Sequence, residues 1–128
     1  MSDADTTVGQ LRKVVADFVA ERRWQPYHDP KNLAMSIAIE AAELMEHFQW
    51  VRSDELSALL ADQRRRSAVA DELADVACYV LALANVMEID LASTLRDKIA
   101  KNALKYPVER FCGRYFKPDN DGNAQSAT

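Results

Sequence analysis

The residues best suited to chemistry in this sequence are two pairs of acidic side chains with the same spacing. Glu40 and Glu43 form an E-x-x-E pair, and Glu72 and Asp75 form an E-x-x-D pair. A spacing of three residues places both members of a pair on the same side of a helix. Both pairs lie within apolar helical patterns. A single pair of this kind is usually solvated, but two such pairs predict carboxylates that converge.

Converging carboxylates determine what else the site must contain. Two like charges 4 Å apart cost about 4 kcal/mol at an effective dielectric near 20, so protons or cations must neutralise them. An all-oxygen donor set suits a hard divalent ion, Mg²⁺ first and Mn²⁺ as a substitute. The predicted metal ligands are Glu40, Glu43, Glu72 and Asp75. We expect Glu43 or Glu46, the next acidic residue at the same spacing, to polarise a water molecule.

Ring side chains and cations near these pairs suggest a ligand with both a base and phosphates. Two rings follow an acidic pair by seven residues, and two lie in the proline-containing loop over 24–30, namely Trp50, Tyr79, Trp24 and His28. They are expected to stack on or close over a ligand, with packing in the core as the alternative. Polar residues of the last helical segment are expected to hold phosphates, or else to form a solvated face; they are Lys98, Lys101, Asn102 and Lys105.

The elements that must position these residues are helices. Apolar periodicity predicts four main helices over 8–23, 32–50, 67–87 and 91–105, with a short helix over 53–60. The scarcity of turn formers, with 3 Gly and 4 Pro, argues against an all-β fold. We therefore expect an all-α helical bundle. The third helix is apolar nearly all round between Val76 and Val86, which predicts a homo-dimer or homo-tetramer built around it.

Length, charge and cysteine content limit the classes of function. The 128 residues suit one domain over 8–116, with a flexible N-terminus over 1–7 and a disordered tail over 117–128. A net charge of −4 argues against binding a nucleic-acid polymer. The acidic N-terminus is unlike a signal peptide and no apolar run approaches the roughly 20 residues of a membrane span, so a cytoplasmic protein is expected. Cys78 is interpreted as a buried free thiol and His47 as buried packing.

The ordered set of motifs resembles the MazG-like family of all-α nucleoside triphosphate pyrophosphohydrolases, and within it the short dCTP pyrophosphatases. The likeness extends from about Val14 to Pro107. It depends on Glu21-Arg22-Arg23-Trp24, His28-Asp29-Pro30-Lys31-Asn32-Leu33, Glu40-Ala-Ala-Glu43-Leu, Phe48-Gln49-Trp50, Glu72-Leu-Ala-Asp75-Val, Tyr79, and the segment from Lys98 through Tyr106-Pro107.

The resemblance implies a four-helix-type bundle that assembles as dimers or tetramers, with sites between subunits. It implies that the four paired carboxylates hold Mg²⁺ and that the two tryptophans and Tyr79 line the nucleotide pocket. Lys98 and Asn102 would meet phosphates or sugar, and Tyr106 belongs to the same matching segment. Two departures leave the base preference open, because Val15 stands where dCTP-preferring eukaryotic relatives have a histidine, and His47 replaces a residue that is usually apolar.

The expected function is Mg²⁺-dependent hydrolysis of a nucleoside triphosphate to the monophosphate and pyrophosphate. The expected role is house-cleaning, with dCTP or a related or modified deoxynucleotide as substrate. Two alternatives stay open at this point. One is an enzyme that resembles phosphoribosyl-ATP pyrophosphatase, and the other is a non-catalytic helical oligomer that serves as an interaction protein.

Overall fold

The chain folds as a set of helices in a computed structural model that describes residues 1–114 and 116. Two short 3-10 turns occupy Gln25–Tyr27 and Ser53–Glu55. The α-helices are α1 Val8–Glu21, α2 Pro30–Glu46, α3 Leu56–Ala61, α4 Gln63–Val86, α5 Leu91–Lys105 and α6 Val108–Phe111. No strand occurs among the described residues, which confirms the predicted all-α bundle.

Each of the four long helices begins at a side chain that accepts a hydrogen bond from the first turn. The caps are Thr7, Asp29, Asp62 and Asp90. Such a cap satisfies one backbone N–H that has no partner within the helix. These polar residues explain why the helices start where they do.

The structure corrects two predicted helix boundaries and adds one short helix. The second helix was expected to reach Trp50, but α2 ends at Glu46, where hydrogen bonds such as Phe48 N to Met45 O (2.9 Å) form tight turns instead. The third helix begins earlier than predicted because Asp62 caps it at Gln63. The four-residue α6 was not predicted. The bounds of α5 agree with the prediction.

The chain divides into two compact units, the first over Met1–Ile89 and the second beginning at Asp90. In the first unit α4 packs along α2, and α1 and α3 also pack against α4. The apolar residues buried in the described chain are Leu33, Leu59, Ala82 and Ala84. The single domain over 8–116 and the flexible segment over 1–7 remain predictions. The predicted disordered tail over 117–128 lies outside the described residues.

A single chain leaves several large apolar side chains exposed. On α2 the exposed fractions are 56% for Met35 and 55% for Ile39, and on α4 they are 58% for Leu73 and 44% for Val86. The predicted homo-oligomer would cover such residues, and it remains a prediction. Within the described part of the chain, no single helix is long and apolar enough to cross a membrane, although α4 and α5 together pass that test of length and composition.

One half-buried arginine ties α1 to the C-terminal end of α4. The guanidinium of Arg12 donates hydrogen bonds to Asn85 Oδ1 (2.9 Å), Ile89 O (2.6 Å) and Ala84 O (3.1 Å). The Asn85 amide donates in return to Arg12 O at 3.0 Å. A cation suits this place because the last carbonyls of a helix carry partial negative charge. The contact fixes α1 against α4.

We predict that Arg12→Ala lowers the free energy of unfolding by about 2–3 kcal/mol, because it removes several partly buried hydrogen bonds from a charged donor. Urea denaturation measures this change. The control is the neighbouring Lys13→Ala, which removes an exposed ion pair with Asp17 and should cost less than about 0.5 kcal/mol. Equal losses in the two variants would contradict the prediction.

Candidate active site

Three acidic side chains from two helices converge in the first unit. Glu40 and Glu43 project from α2, and Glu72 projects from α4. Each offers a carboxylate oxygen that lies within 4.8 Å of the oxygens offered by the other two. The spacing of three on α2 and the packing of α2 along α4 produce this arrangement. These three residues are called the acidic trio below.

Two oxygens of the acidic trio lack any hydrogen-bond partner. Glu40 Oε2 and Glu72 Oε2 are shielded from solvent, and no donor among the described residues reaches either atom. A buried acceptor without a partner is costly, and a charged one more so. Such an arrangement requires a proton or a cation between the carboxylates.

The electrostatics of Glu40 reflect this crowding. A side-chain hydrogen bond with Glu43, then burial and the charges of the neighbouring carboxylates, raise the pKa of Glu40 from 4.5 to about 7. The pKa of Glu72 is also raised, first by burial and then by the charges of Glu43 and Asp75. Near neutral pH the metal-free Glu40 is therefore only partly ionised, and a divalent cation would displace its proton.

The donor chemistry of the trio fits the expected metal. Carboxylate oxygens are the ligands that Mg²⁺ takes, and Mg²⁺ commonly uses a few carboxylates together with water and phosphate oxygens. Two unpartnered oxygens are available to a cation. Glu40, Glu43 and Glu72 are therefore the residues that could hold Mg²⁺.

The other two acidic residues predicted for the site lie outside the acidic trio. Asp75 is exposed on α4 and is not a fourth member at the same distances, but it is near enough to raise the pKa of Glu40 and Glu72. Glu46 is exposed at the last position of α2. Their predicted roles remain predictions.

A cavity of about 450 Å³ lies between α1 and α4. Three of the four predicted rings line it, together with Asp75. The ring centroids of His28 and Tyr79 are 6.5 Å apart, and the Trp24 ring packs edge-on against Phe18 at 5.8 Å. A cavity with apolar walls and one carboxylate suits a flat, partly polar ligand.

Three features of the predicted site are corrected by the structure. Trp50 is 86% exposed and follows the end of α2, so it does not lie on the helix that carries Glu43, as the predicted helix over 32–50 required. Cys78 is a free thiol but is exposed and lines the cavity. Partial shielding of the thiol group and then the charge of Asp75 raise the pKa of Cys78. His47 is not buried packing, because its side chain is 31% exposed and faces Glu72.

The predicted phosphate-binding residues belong to the second unit. Lys98, Lys101 and Lys105 are exposed on α5, and Asn102 is half-buried there. Tyr106 follows α5, and its ring packs edge-on against Phe111 at a centroid distance of 5.1 Å. Their roles in substrate binding remain predictions.

Sequence reasoning missed the α1 wall of the cavity. The cavity is lined by Val14, Val15, Phe18 and Val19, although the apolar periodicity of this segment predicted only a helix. Phe18 is 47% exposed and Val14 is 52% exposed. Apolar periodicity marks the face of a helix but does not show whether that face meets a core or an open cavity. The aromatic residues of the loop that follows α1 were the sequence signal that could have indicated this cavity.

The sequence matches the model of a known protein family. The MazG-like family model matches residues 35–114. The matched range contains the acidic trio, Asp75 and the helical segment of α5.

The chain is also similar to individual proteins. It is 35% identical over 105 residues to dCTP pyrophosphatase 1 of Bos taurus, with 82% of this chain and 62% of the relative covered. The corresponding Homo sapiens protein is 36% identical over 104 residues, with 81% and 61% covered. The chain thus spans about three fifths of the length of these relatives. A crystal structure of a pyrophosphatase from Archaeoglobus fulgidus matches with a TM-score of 0.73 and 42% identity, covering 84% of this chain and 98% of that chain.

The raised pKa of Glu40 predicts a stability that depends on pH. A carboxyl group in the unfolded chain ionises near 4.5, whereas Glu40 in the fold ionises at about 7. The folded state therefore binds more protons in this window. The contribution is fully present below pH 4.5 and is lost as the pH rises through about 7. We predict that the melting temperature of the metal-free protein decreases as the pH rises from 4.5 to about 7.

The matched variant is Glu40→Gln, which keeps the shape and hydrogen-bonding capacity of the side chain but does not titrate. Thermal melts in a chelator should show a shallower fall in melting temperature for this variant than for the native chain. The prediction fails if the two proteins lose melting temperature equally over the same pH range.

Proposed function

The chain belongs to the MazG-like family, and from that premise we propose that it is a Mg²⁺-dependent nucleoside triphosphate pyrophosphohydrolase. It would convert a (d)NTP and water to the (d)NMP and pyrophosphate. The proposed substrate is dCTP or a related or modified deoxynucleotide, so the enzyme would have a house-cleaning role. Both mammalian relatives carry the name dCTP pyrophosphatase 1, which supports this substrate class.

The observation that carries the proposal is the acidic trio with two shielded oxygens that have no hydrogen-bond partner. Carboxylates on an open surface are solvated by water and need neither a proton nor a cation between them. A metal site accounts for the convergence of the carboxylates, and that convergence raises the pKa of Glu40 while no metal is bound. This supports the enzyme over a non-catalytic helical interaction protein.

When bound, Mg²⁺ would neutralise charge that develops on the phosphate oxygens. Glu40, Glu43 and Glu72 would hold it, with Asp75 as the fourth proposed ligand. Mn²⁺ is the proposed substitute, because it accepts the same oxygen donors. The side chains keep their positions because each is fixed on a long helix.

The proposed chemical step is an in-line displacement at the α-phosphorus. Glu43 or Glu46 would accept a proton from a water molecule. The water oxygen would form a bond with the α-phosphorus while the bond from that atom to the bridging oxygen breaks. Pyrophosphate would leave, and the monophosphate would carry the new oxygen. Glu43 has the stronger support, because it belongs to the acidic trio.

The cavity beside α4 is the proposed place for the nucleoside. Asp75 and Tyr79, one helical turn apart, both line it together with Trp24 and His28. The base would lie against these rings, and the exposed Trp50 would contribute a further ring. Lys98, Lys101, Asn102, Lys105 and Tyr106 are the proposed contacts to phosphates or sugar. A deoxynucleoside triphosphate ranks ahead of phosphoribosyl-ATP as the proposed substrate, because both mammalian relatives are named dCTP pyrophosphatase 1.

We also propose that the active form is a homo-dimer or homo-tetramer. Exposed apolar side chains such as Met35, Ile39 and Leu73 support this proposal, because association would remove their surface from water. The proposed place of action is the cytoplasm. The net charge of −4 gives no electrostatic attraction to a nucleic-acid polymer.

The test is incubation of the full chain with Mg²⁺ and a panel of deoxynucleoside triphosphates, with phosphoribosyl-ATP included. Pyrophosphate and monophosphate should appear in equal amounts, and dCTP or a modified form of it should react fastest. Glu43→Gln and Glu72→Gln should each lower kcat/KM by roughly 100-fold or more, because each removes a charge that would face the metal. Glu46→Gln tests whether Glu46 or Glu43 activates the water molecule.

The matched control is Asp71→Asn, which neutralises the carboxylate next to Glu72 on the same helix. Asp71 is exposed and is not a member of the acidic trio, so its variant should retain native kcat/KM. Absence of pyrophosphate with every substrate, or equal activity of Glu72→Gln and Asp71→Asn, would contradict the proposed function.

A further inference from the structure

A histidine lies at the edge of the acidic trio. His47 is the C-cap residue of α2 and keeps a helical backbone conformation, with φ −64° and ψ −21°. It follows Glu43 by four residues and Glu40 by seven, so it lies on the same face of α2 as both. Its side chain is 31% exposed. The imidazole is therefore positioned by the same helix that presents two members of the trio.

The imidazole faces one oxygen of the third member. His47 Nε2 lies 4.0 Å from Glu72 Oε1. A hydrogen bond from an imidazole N–H to a carboxylate has a length of about 2.8 Å. A shift of roughly 1 Å in either side chain would form it. Burial and the charges of Glu43 and Asp75 raise the pKa of Glu72, whereas the charge of His47 lowers it.

The two oxygens of Glu72 have different surroundings. Oε1 faces His47, whereas Oε2 is shielded and has no hydrogen-bond partner. A donor that holds one oxygen of a carboxylate fixes the rotation of the group and presents the other oxygen in one direction. Oε2, which has no partner among the described residues, is therefore the oxygen that we assign to a cation.

We propose that His47 is a positioning residue for the metal site, donating a hydrogen bond from Nε2–H to Glu72 Oε1 and thereby directing Oε2 toward a cation shared with Glu40 and Glu43. The inference rests on the proposed function, since it requires that the acidic trio binds a divalent ion. His47 acts through Glu72 and not as a ligand, because its nitrogens do not join the group of mutually close donor atoms.

The expected loss of metal affinity without His47 follows from what is general for metal sites. Partners that hydrogen-bond to a metal ligand fix its orientation, and removing one typically costs 10- to 100-fold in metal affinity or activity. A residue that served only to end α2 would change the stability of the fold without changing the affinity for metal. Affinity for the metal alone therefore separates the two roles.

The experiment compares His47→Leu with His47→Gln. Leucine has a similar volume and no donor, whereas the glutamine amide offers an N–H at a position close to Nε2. Isothermal titration with Mg²⁺ alone, without nucleotide, measures the dissociation constant of the full chain. We expect His47→Leu to weaken Mg²⁺ binding by about 10- to 100-fold and His47→Gln to retain most of the native affinity.

The outcomes separate this inference from the function on which it rests. Native protein that binds no Mg²⁺ would overturn the proposed function itself. Native protein that binds Mg²⁺ while His47→Leu binds equally well would overturn only the role of His47. Equal losses in both variants would also overturn it, because a donor at that position would then not matter. Thermal melts in a chelator establish that each variant is folded, and His47→Ala replaces the leucine variant if it is not.

Discussion

The mutual repulsion of Glu40, Glu43 and Glu72 is the constraint on which the rest of the site depends. The packing of α2 along α4 holds their oxygens within 4.8 Å of one another, and the fold gains nothing from that proximity unless positive charge lies between them. Without a cation the cost appears as a proton retained by Glu40 up to about pH 7. An arrangement that opposes stability in this way is typical of a functional site.

Asp75 connects the acidic trio with the cavity between α1 and α4. It lines the cavity, and its charge raises the pKa of Glu40 and Glu72. A nucleoside among the rings of the cavity would therefore lie near a cation held by the acidic trio. Arg12 contributes indirectly, since its hydrogen bonds to the end of α4 fix α1, which forms the opposite wall.

Local patterns in the sequence determined much of the fold. The bounds of α5 could be predicted because Asp90 caps its start and Tyr106-Pro107 ends it. The convergence of Glu40 with Glu43 follows from helical periodicity alone, and the resemblance to the MazG-like family is confirmed.

The features that could not be predicted depend on tertiary packing. The apolar pattern continues through Phe48 and Trp50, but the backbone leaves the helix at Glu46. The orientation of His47 depends on where α4 passes, and the open face of α1 depends on what α4 leaves uncovered. No spacing within one helix contains that information.

The most direct test of the central claim is a crystal structure of the protein grown with Mn²⁺ and a non-hydrolysable deoxynucleoside triphosphate analogue. An anomalous difference map locates the metal independently of any assay. The account predicts a peak bonded to oxygens of Glu40, Glu43 and Glu72, with the analogue's phosphates completing its coordination. Ordered analogue with no metal at the acidic trio, or with metal bound only by other side chains, would contradict it.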